Sequence, residues 1–235
     1  MKKRIFLLFF LFNILIAFGQ LKSPLTNLEN FDEKPLQWGY YFGGNMFDLK
    51  FDYRDLQYTN TSLLEVQTHK MFGFNVGLTG SARLMKYIDL RLEPGLVYNR
   101  KEIYFYNMTE KRDYLRDVKS TYIYIPLLVK FSAERWYNFK PYVTAGGSMT
   151  INLSSNQNLT IDNYDLVFRT KTNVFFYELG FGLDIYTPFF RLSPSIRGLF
   201  SVRNELVPDH KPDSPWTKNL KGLKSRGFLI NLTLE

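Results

Sequence analysis

Apolar and polar residues alternate along eight stretches of this chain, and the connections between those stretches are by turns short and long. In one stretch Phe175, Tyr177, Leu179, Phe181, Leu183 and Ile185 share a face, and Glu178, Gly180, Gly182 and Asp184 share the other. In the next, Leu192, Ile196, Phe200 and Val202 oppose Arg191, Ser193, Ser195 and Arg197. A third sets Ile88, Leu90, Leu92 and Leu96 against Asp89, Arg91 and Glu93. A period of two is the period of a strand. Tight connections fall near Arg83–Tyr87, Glu134–Asn138 and Tyr186–Phe189, and long polar ones near Asp55–Gln67, Asn107–Lys119, Ser154–Lys171 and Arg203–Gly222. An even number of strands with short turns at one end and long loops at the other is the pattern of an outer-membrane barrel. Closure is then obligatory, because lipid offers nothing to an unpaired strand edge. The expected fold is therefore all-β: an eight-stranded antiparallel transmembrane β-barrel with short periplasmic turns and long extracellular loops. Its strands fall near 36–53, 68–82, 88–105, 120–133, 139–153, 172–186, 189–202 and 224–235.

The N-terminus agrees with that compartment. Met1-Lys2-Lys3-Arg4 is basic, Ile5 to Ile16 is apolar except for Asn13, and Ala17-Phe18-Gly19 offers small residues for cleavage before Gln20. The apolar run is too short for a spanning helix. Residues 1–19 are expected to be a signal peptide, 20–34 a periplasmic segment and 35–235 the barrel, with the cell outer membrane as destination. The chain has no Cys, which excludes disulfides, thiolate metal sites and a lipid anchor on a cysteine.

Removing Lys2, Lys3 and Arg4 with the leader takes the formal charge from +8 to +5. The remaining charges are of both signs and lie mostly in loops, without the basic stripe that nucleic-acid binding requires. Mean hydropathy is −0.21, and no later run is apolar enough for a helical span. Aromatics make up 17% of the chain, and Trp38, Tyr40, Tyr87, Trp136, Tyr137, Tyr186, Phe189 and Phe190 gather near the short turns. That is the placement of a membrane-interface girdle. A β-sandwich rich in Tyr and Phe would put its larger apolar face inside, and its loops would not alternate so regularly in length.

The turn at Tyr186–Phe189 predicts a register in which Asp184 faces Arg191, Glu178 faces Arg197, Leu183 meets Leu192, Leu179 meets Ile196 and Phe175 meets Phe200. Glu178–Arg197 and Asp184–Arg191 are thus expected as ion pairs in the lumen, and removing Glu178 would strand Arg197. Asp89, Arg91, Glu93 and Lys130 are further lumen candidates. Pro94, Pro126 and Pro194 lie inside strands that ought to be central, so bulges are expected there.

No catalytic constellation emerges. A lipid-modifying barrel would need a general base, and only His69 and His210 are available, neither beside a nucleophile motif. Two separated histidines make no metal site. No cofactor and no small-molecule substrate are expected. An interior of eight strands is just wide enough for its own side chains, so a paired ionic plug is favoured over a conduction path. No secreted protein could pass through it.

Several segments carry a resemblance. They are Asn27-Leu28-Glu29-Asn30-Phe31-Asp32, Trp38-Gly39-Tyr40 with Asn45 and Asp48, Tyr122-Ile123-Tyr124-Ile125-Pro126-Leu127-Leu128-Val129-Lys130, Glu205-Leu206-Val207-Pro208-Asp209, and Leu223-Lys224-Ser225-Arg226-Gly227-Phe228 on to Glu235. In matching order over nearly the whole mature chain, they resemble the PorT (SprT) family of Bacteroidota outer-membrane barrels. The resemblance implies a non-enzymatic barrel required for type IX secretion, which exports adhesins, gliding-motility proteins and proteases. It also implies partners among the other components of that machinery, besides outer-membrane lipid. A porin-like or lipid-modifying barrel of unrelated role is the alternative. The resemblance begins before the first strand, where Leu25, Leu28 and Phe31 could share one side of a short turn. These three are the candidates for docking a partner, with Phe31 as anchor.

Overall fold

A computed structural model of the chain describes residues 26–54, 66–105, 110–161, 163–211 and 214–235. The leader and Leu25 lie outside the described residues. Ten strands form one antiparallel sheet: β1 (Leu36–Tyr53), β2 (Val66–Lys70), β3 (Phe72–Met85), β4 (Ile88–Leu92), β5 (Gly95–Phe105), β6 (Leu115–Ser132), β7 (Phe139–Asn152), β8 (Asn173–Tyr186), β9 (Arg191–Ser201) and β10 (Leu220–Leu234). β1 pairs with both β10 and β3, so the sheet closes into a ring. β4 and β5 pair with the same two neighbours, β3 and β6, and are halves of one stave broken at Glu93-Pro94. β2 and β3 are likewise one stave broken at Met71. Ten strands thus make a ring of eight staves.

The strands run further than the hydropathy pattern indicated. The second stave starts at Val66, β6 at Leu115 and β10 at Leu220, while β9 starts only at Arg191. The added residues lie beyond the lipid belt, where the outer face is polar and the alternation that marks a strand fades.

Alternation turns one apolar face of each stave outward. Phe72, Phe74, Leu78, Leu127, Val143, Leu179, Phe181 and Ile196 are exposed on the outer wall. Trp38, Tyr40, Tyr87, Trp136, Tyr137, Phe189 and Phe190 are exposed at the short-turn end, as an interface girdle requires. Tyr186 departs from that expectation: it is 1% exposed and points into the lumen.

The β8–β9 register differs from the expected one by two residues. Tyr186 faces Arg191, Phe181 faces Ile196, Gly180 faces Arg197 and Tyr177 faces Phe200, with the last two rings stacked at 5.2 Å. The cause is the turn. Thr187 N–H donates to Phe190 O at 3.0 Å, leaving Pro188-Phe189 as the central pair. Pro188 then takes the first central position, where its fixed φ is favourable; the expected register would put it second. A shift of two keeps every side chain on its face, so the division between lumen and lipid is unchanged.

The prolines make no bulges. Register is continuous past Pro126, and the pairings on either side of Pro94 and Pro194 are in phase. Shifts occur instead at Asp52/Tyr53 and Arg83/Met85. Pro126 faces Glu93, whose N–H donates to Pro126 O at 3.3 Å, but Pro126 cannot donate back. Tyr41 Oη donates to the stranded Glu93 O at 3.3 Å. Its ring lies along the inner wall, over the neighbouring stave, because Gly77 and Gly95 leave room: a Cβ on Gly95 would lie 2.2 Å from Tyr41 Oη. The missing ladder bond is thus replaced by a side chain.

Candidate functional site: a filled lumen and its mouth

The lumen is layered. Nearest the short turns is an ionic layer. Arg197 lies between Glu93 (Nη2–Oε2 2.5 Å) and Glu178 (Nη1–Oε2 3.2 Å). Glu93 also holds Arg91 (2.9 Å), and Arg91 reaches Glu235 at 3.0 Å. Glu235 also takes Arg191, whose Nε donates to it at 2.8 Å. Arg191 approaches Asp184 at 3.7 Å, and Asp184 binds Lys130 at 2.6 Å and accepts from Ser193 Oγ at 2.6 Å. Tyr124 Oη donates to Glu178 at 2.7 Å. The charges therefore alternate along one chain of contacts, and every one of these groups is buried. Such a layer is stable only when each charge has partners, because an isolated ion in the interior would cost several kcal/mol.

Both predicted pairs are in contact, Glu178 with Arg197 and Asp184 with Arg191, although neither pair is directly opposed across the ladder. Long arginine side chains bridge the two-residue offset. Arg197 is not left alone without Glu178, however, because Glu93 also binds it. Asp89 points inward from β4 and is half-buried, opposite Lys130. Glu235 is a member that the sequence reading missed. Its parity was legible, since Asn231, Thr233 and Glu235 continue one inward face.

Above the ions, Asn75 donates to Asn231 Oδ1 at 2.5 Å. Then comes an apolar layer that includes Phe47, Val97, Tyr122, Phe176, Leu199 and Leu229. It leaves a cavity of about 10 Å³, room for at most one water. At the long-loop end Leu49, Ile103, Phe105, Phe168, Leu206, Trp216, Leu220 and Leu223 form a second apolar cluster. The loops that cover it are joined by polar contacts: Arg116 donates to Asn163 O at 2.7 Å, Asn163 Nδ2 to Asp209 at 3.1 Å, and Trp216 Nε1 to Asp113 O at 3.0 Å.

The short-turn mouth is crossed by the segment before β1. Thr26 to Lys34 ends in a 3₁₀ turn at Phe31–Glu33. Asn27 N–H donates to Asn138 Oδ1 at 2.8 Å, Asn27 Nδ2 to Tyr186 O at 3.1 Å, and Arg135 to Leu28 O at 3.2 Å. Phe31 stands edge-on to Tyr186 at 6.4 Å, with the Arg191 guanidinium 4.8 Å above its ring. Asp32 accepts from Tyr186 Oη at 2.6 Å and lies 3.4 Å from Lys140 and 3.7 Å from Arg191. Hydropathy pattern carries no sign of this, because a segment outside the strands has no parity to read. Phe31, the candidate anchor for a partner, is engaged by the barrel itself, and Leu28 is half-buried beside it. Nearby, hydrogen bonds from Tyr87 and Lys86 hold the exposed Glu134 carboxyl below the usual carboxylate range.

His69 lies exposed on β2 opposite Glu102, and His210 lies 3.4 Å from Arg169 in the long-loop end, so the two histidines occupy separate environments. Among the described residues no group of three or more His, Cys, Asp or Glu could hold a metal ion.

No curated protein sequence matches the chain. Among solved structures it is similar to the outer membrane protein OprG of Pseudomonas aeruginosa, at 12% identity and TM-score 0.48, over 84% of this chain and 94% of that one. It is also similar to Neisserial surface protein A, at 10% identity and TM-score 0.47, over 86% and 99%. A third is Ail of Yersinia pestis in complex with the heparin analogue sucrose octasulfate, at 11% identity and TM-score 0.40, over 86% and 99%. Residues 18–207 match the outer membrane protein beta-barrel domain family, so the chain is a member of that family and a protein of the outer membrane.

Proposed function

We propose that this barrel is a non-enzymatic component of type IX protein secretion, acting as an accessory, assembly or scaffold element beside a larger pore. The resemblance of its strand and pre-strand segments to the PorT family supports the specific pathway. The observation that carries the non-conducting role is the lumen: ions in mutual contact at one end, an apolar layer at the middle, and Thr26–Lys34 across the mouth. A barrel filled in this way has only its surfaces to offer. We assign partner docking to the short-turn mouth. Leu28 and Phe31 act there as part of a composite face with the Arg135 turn, not as a free peptide; Leu25, the third docking candidate, lies outside the described residues.

The experiment is deletion of the gene, with export of secreted proteins to the cell surface and medium as readout. Loss of export, restored by the wild-type gene but only weakly by Arg135→Ala at equal barrel abundance, is expected. Normal export in the deletion strain would overturn the secretion role. Full restoration by Arg135→Ala would move docking away from the mouth.

A further inference from the structure

The outer wall changes from apolar to charged at one rung of the ladder. On β1 and β10 the paired outward residues are Gly44 with Ile230, then Met46 with Phe228, then Asp48 with Arg226, then Lys50 with Lys224. Leu49 and Leu223 are buried, which confirms that Lys50 and Lys224 point outward, and both lysines are exposed. Lys50 is thus four residues beyond the last apolar rung. At about 3.3 Å per residue along a tilted strand, that is roughly 10 Å. The long lysine stems can bend back toward the lipid from there, so their ammoniums fall within the headgroup layer, on the side of the long loops.

Two lysines directly opposed on one face repel, and a ladder normally avoids the arrangement. Another like-charge rung of this wall is compensated. Arg100 faces Lys119 across β5–β6, but Arg100 binds Asp117 at 2.8 Å and Glu102 at 3.7 Å. One rung below Lys50 and Lys224, Asp48 is already taken by Arg226 at 2.7 Å and by Lys70 at 3.2 Å. Among the described residues Lys50 and Lys224 have no carboxylate within ion-pair reach, and Asp52, the next outward residue of β1, pairs with neither. Four cations therefore surround one committed carboxylate, and two of them face each other unneutralised at the depth of lipid phosphates.

We propose that Lys50 and Lys224 bracket the phosphate of an anionic lipid of the outer leaflet, with Arg226 and Lys70 closing the site from below. The bound phosphate supplies the negative charge that the rung lacks, and the acyl chains lie against Phe228, Ile230 and Met46. The ligand belongs to the membrane, not to the aqueous phase, because the cations stand directly above a lipid-facing apolar surface.

The test uses the full chain folded into bilayers of phosphatidylcholine containing a minor fraction of phosphatidylglycerol. Native mass spectrometry then counts the lipids retained. Each lysine near an anionic surface changes partitioning about fivefold, so wild type should retain phosphatidylglycerol well above its bulk share, and Lys50→Gln/Lys224→Gln should lose most of that enrichment. Lys224→Glu serves as the second variant: it turns the rung into an unlike pair, so the barrel should resist unfolding at least as well as wild type while losing the enrichment. Inorganic phosphate at millimolar concentration should not displace the retained lipid from wild type; displacement would identify a free-anion site instead. Equal enrichment in wild type and both variants, or no enrichment in wild type, would overturn the proposal.

Discussion

Replacing Glu93 should cost this barrel more than replacing Glu178, although both carboxylates bind Arg197. Glu93 is shared: its two oxygens meet Arg91 at 2.9 Å and Arg197 at 2.5 Å. Glu93→Gln keeps the side-chain volume but leaves two buried guanidiniums each short of a carboxylate, with one uncompensated positive charge in the layer. Breaking a buried pair in this way costs about 3–5 kcal/mol. Glu178→Gln removes one of two partners from Arg197 and the ionised acceptor of Tyr124 Oη, while Glu93 stays in place. That loss should be nearer 1–3 kcal/mol, the cost of an under-satisfied buried group. The assay is urea unfolding in lipid vesicles followed by tryptophan fluorescence, with heat-modifiability on gels to confirm that each variant folds. Combining Glu178→Ala with Arg197→Ala should cost less than the sum of the single losses, by about 0.5–3 kcal/mol. A Glu178 variant as damaging as the Glu93 variant, or strict additivity in the cycle, would refute the shared-carboxylate account.

Gly95→Ala should destabilise the barrel by about 1–3 kcal/mol through overpacking, because its Cβ would meet Tyr41 Oη and Val76 O; unchanged unfolding would show that Tyr41 does not pack against Gly95. A cysteine at Asn158, in the β7–β8 loop, should label with an impermeant reagent on whole cells while one at Asn138, in a short turn, should not; the reverse pattern would invert the barrel.

The alternation of side chains made the staves, their faces and most of the lumen charges legible, because a period of two is imposed wherever one face meets lipid. What escaped had no such imprint. The β8–β9 offset depends on where Pro188 sits in a turn, and both candidate registers satisfy the same hydrophobic pattern. Strand statistics for proline count lost ladder bonds; they do not count a tyrosine from two staves along the wall that supplies one. The strand-end position of Tyr186 suggests the girdle, but its even parity on β8, shared with Glu178 and Asp184, points inward.

The mouth shows most clearly how local pattern and tertiary contact divide the work. Asp32 belongs to no strand, yet it meets Tyr186, Lys140 and Arg191, which come from β8, β7 and β9. Arg191 in turn binds Glu235 and approaches Asp184, so the segment before the first strand is joined to the residue after the last by a single guanidinium. A surface assembled in this way exists only once the ring has closed. A partner that docks at the mouth would therefore recognise finished barrels and pass over unfolded chains, a selectivity that a free N-terminal peptide could not provide.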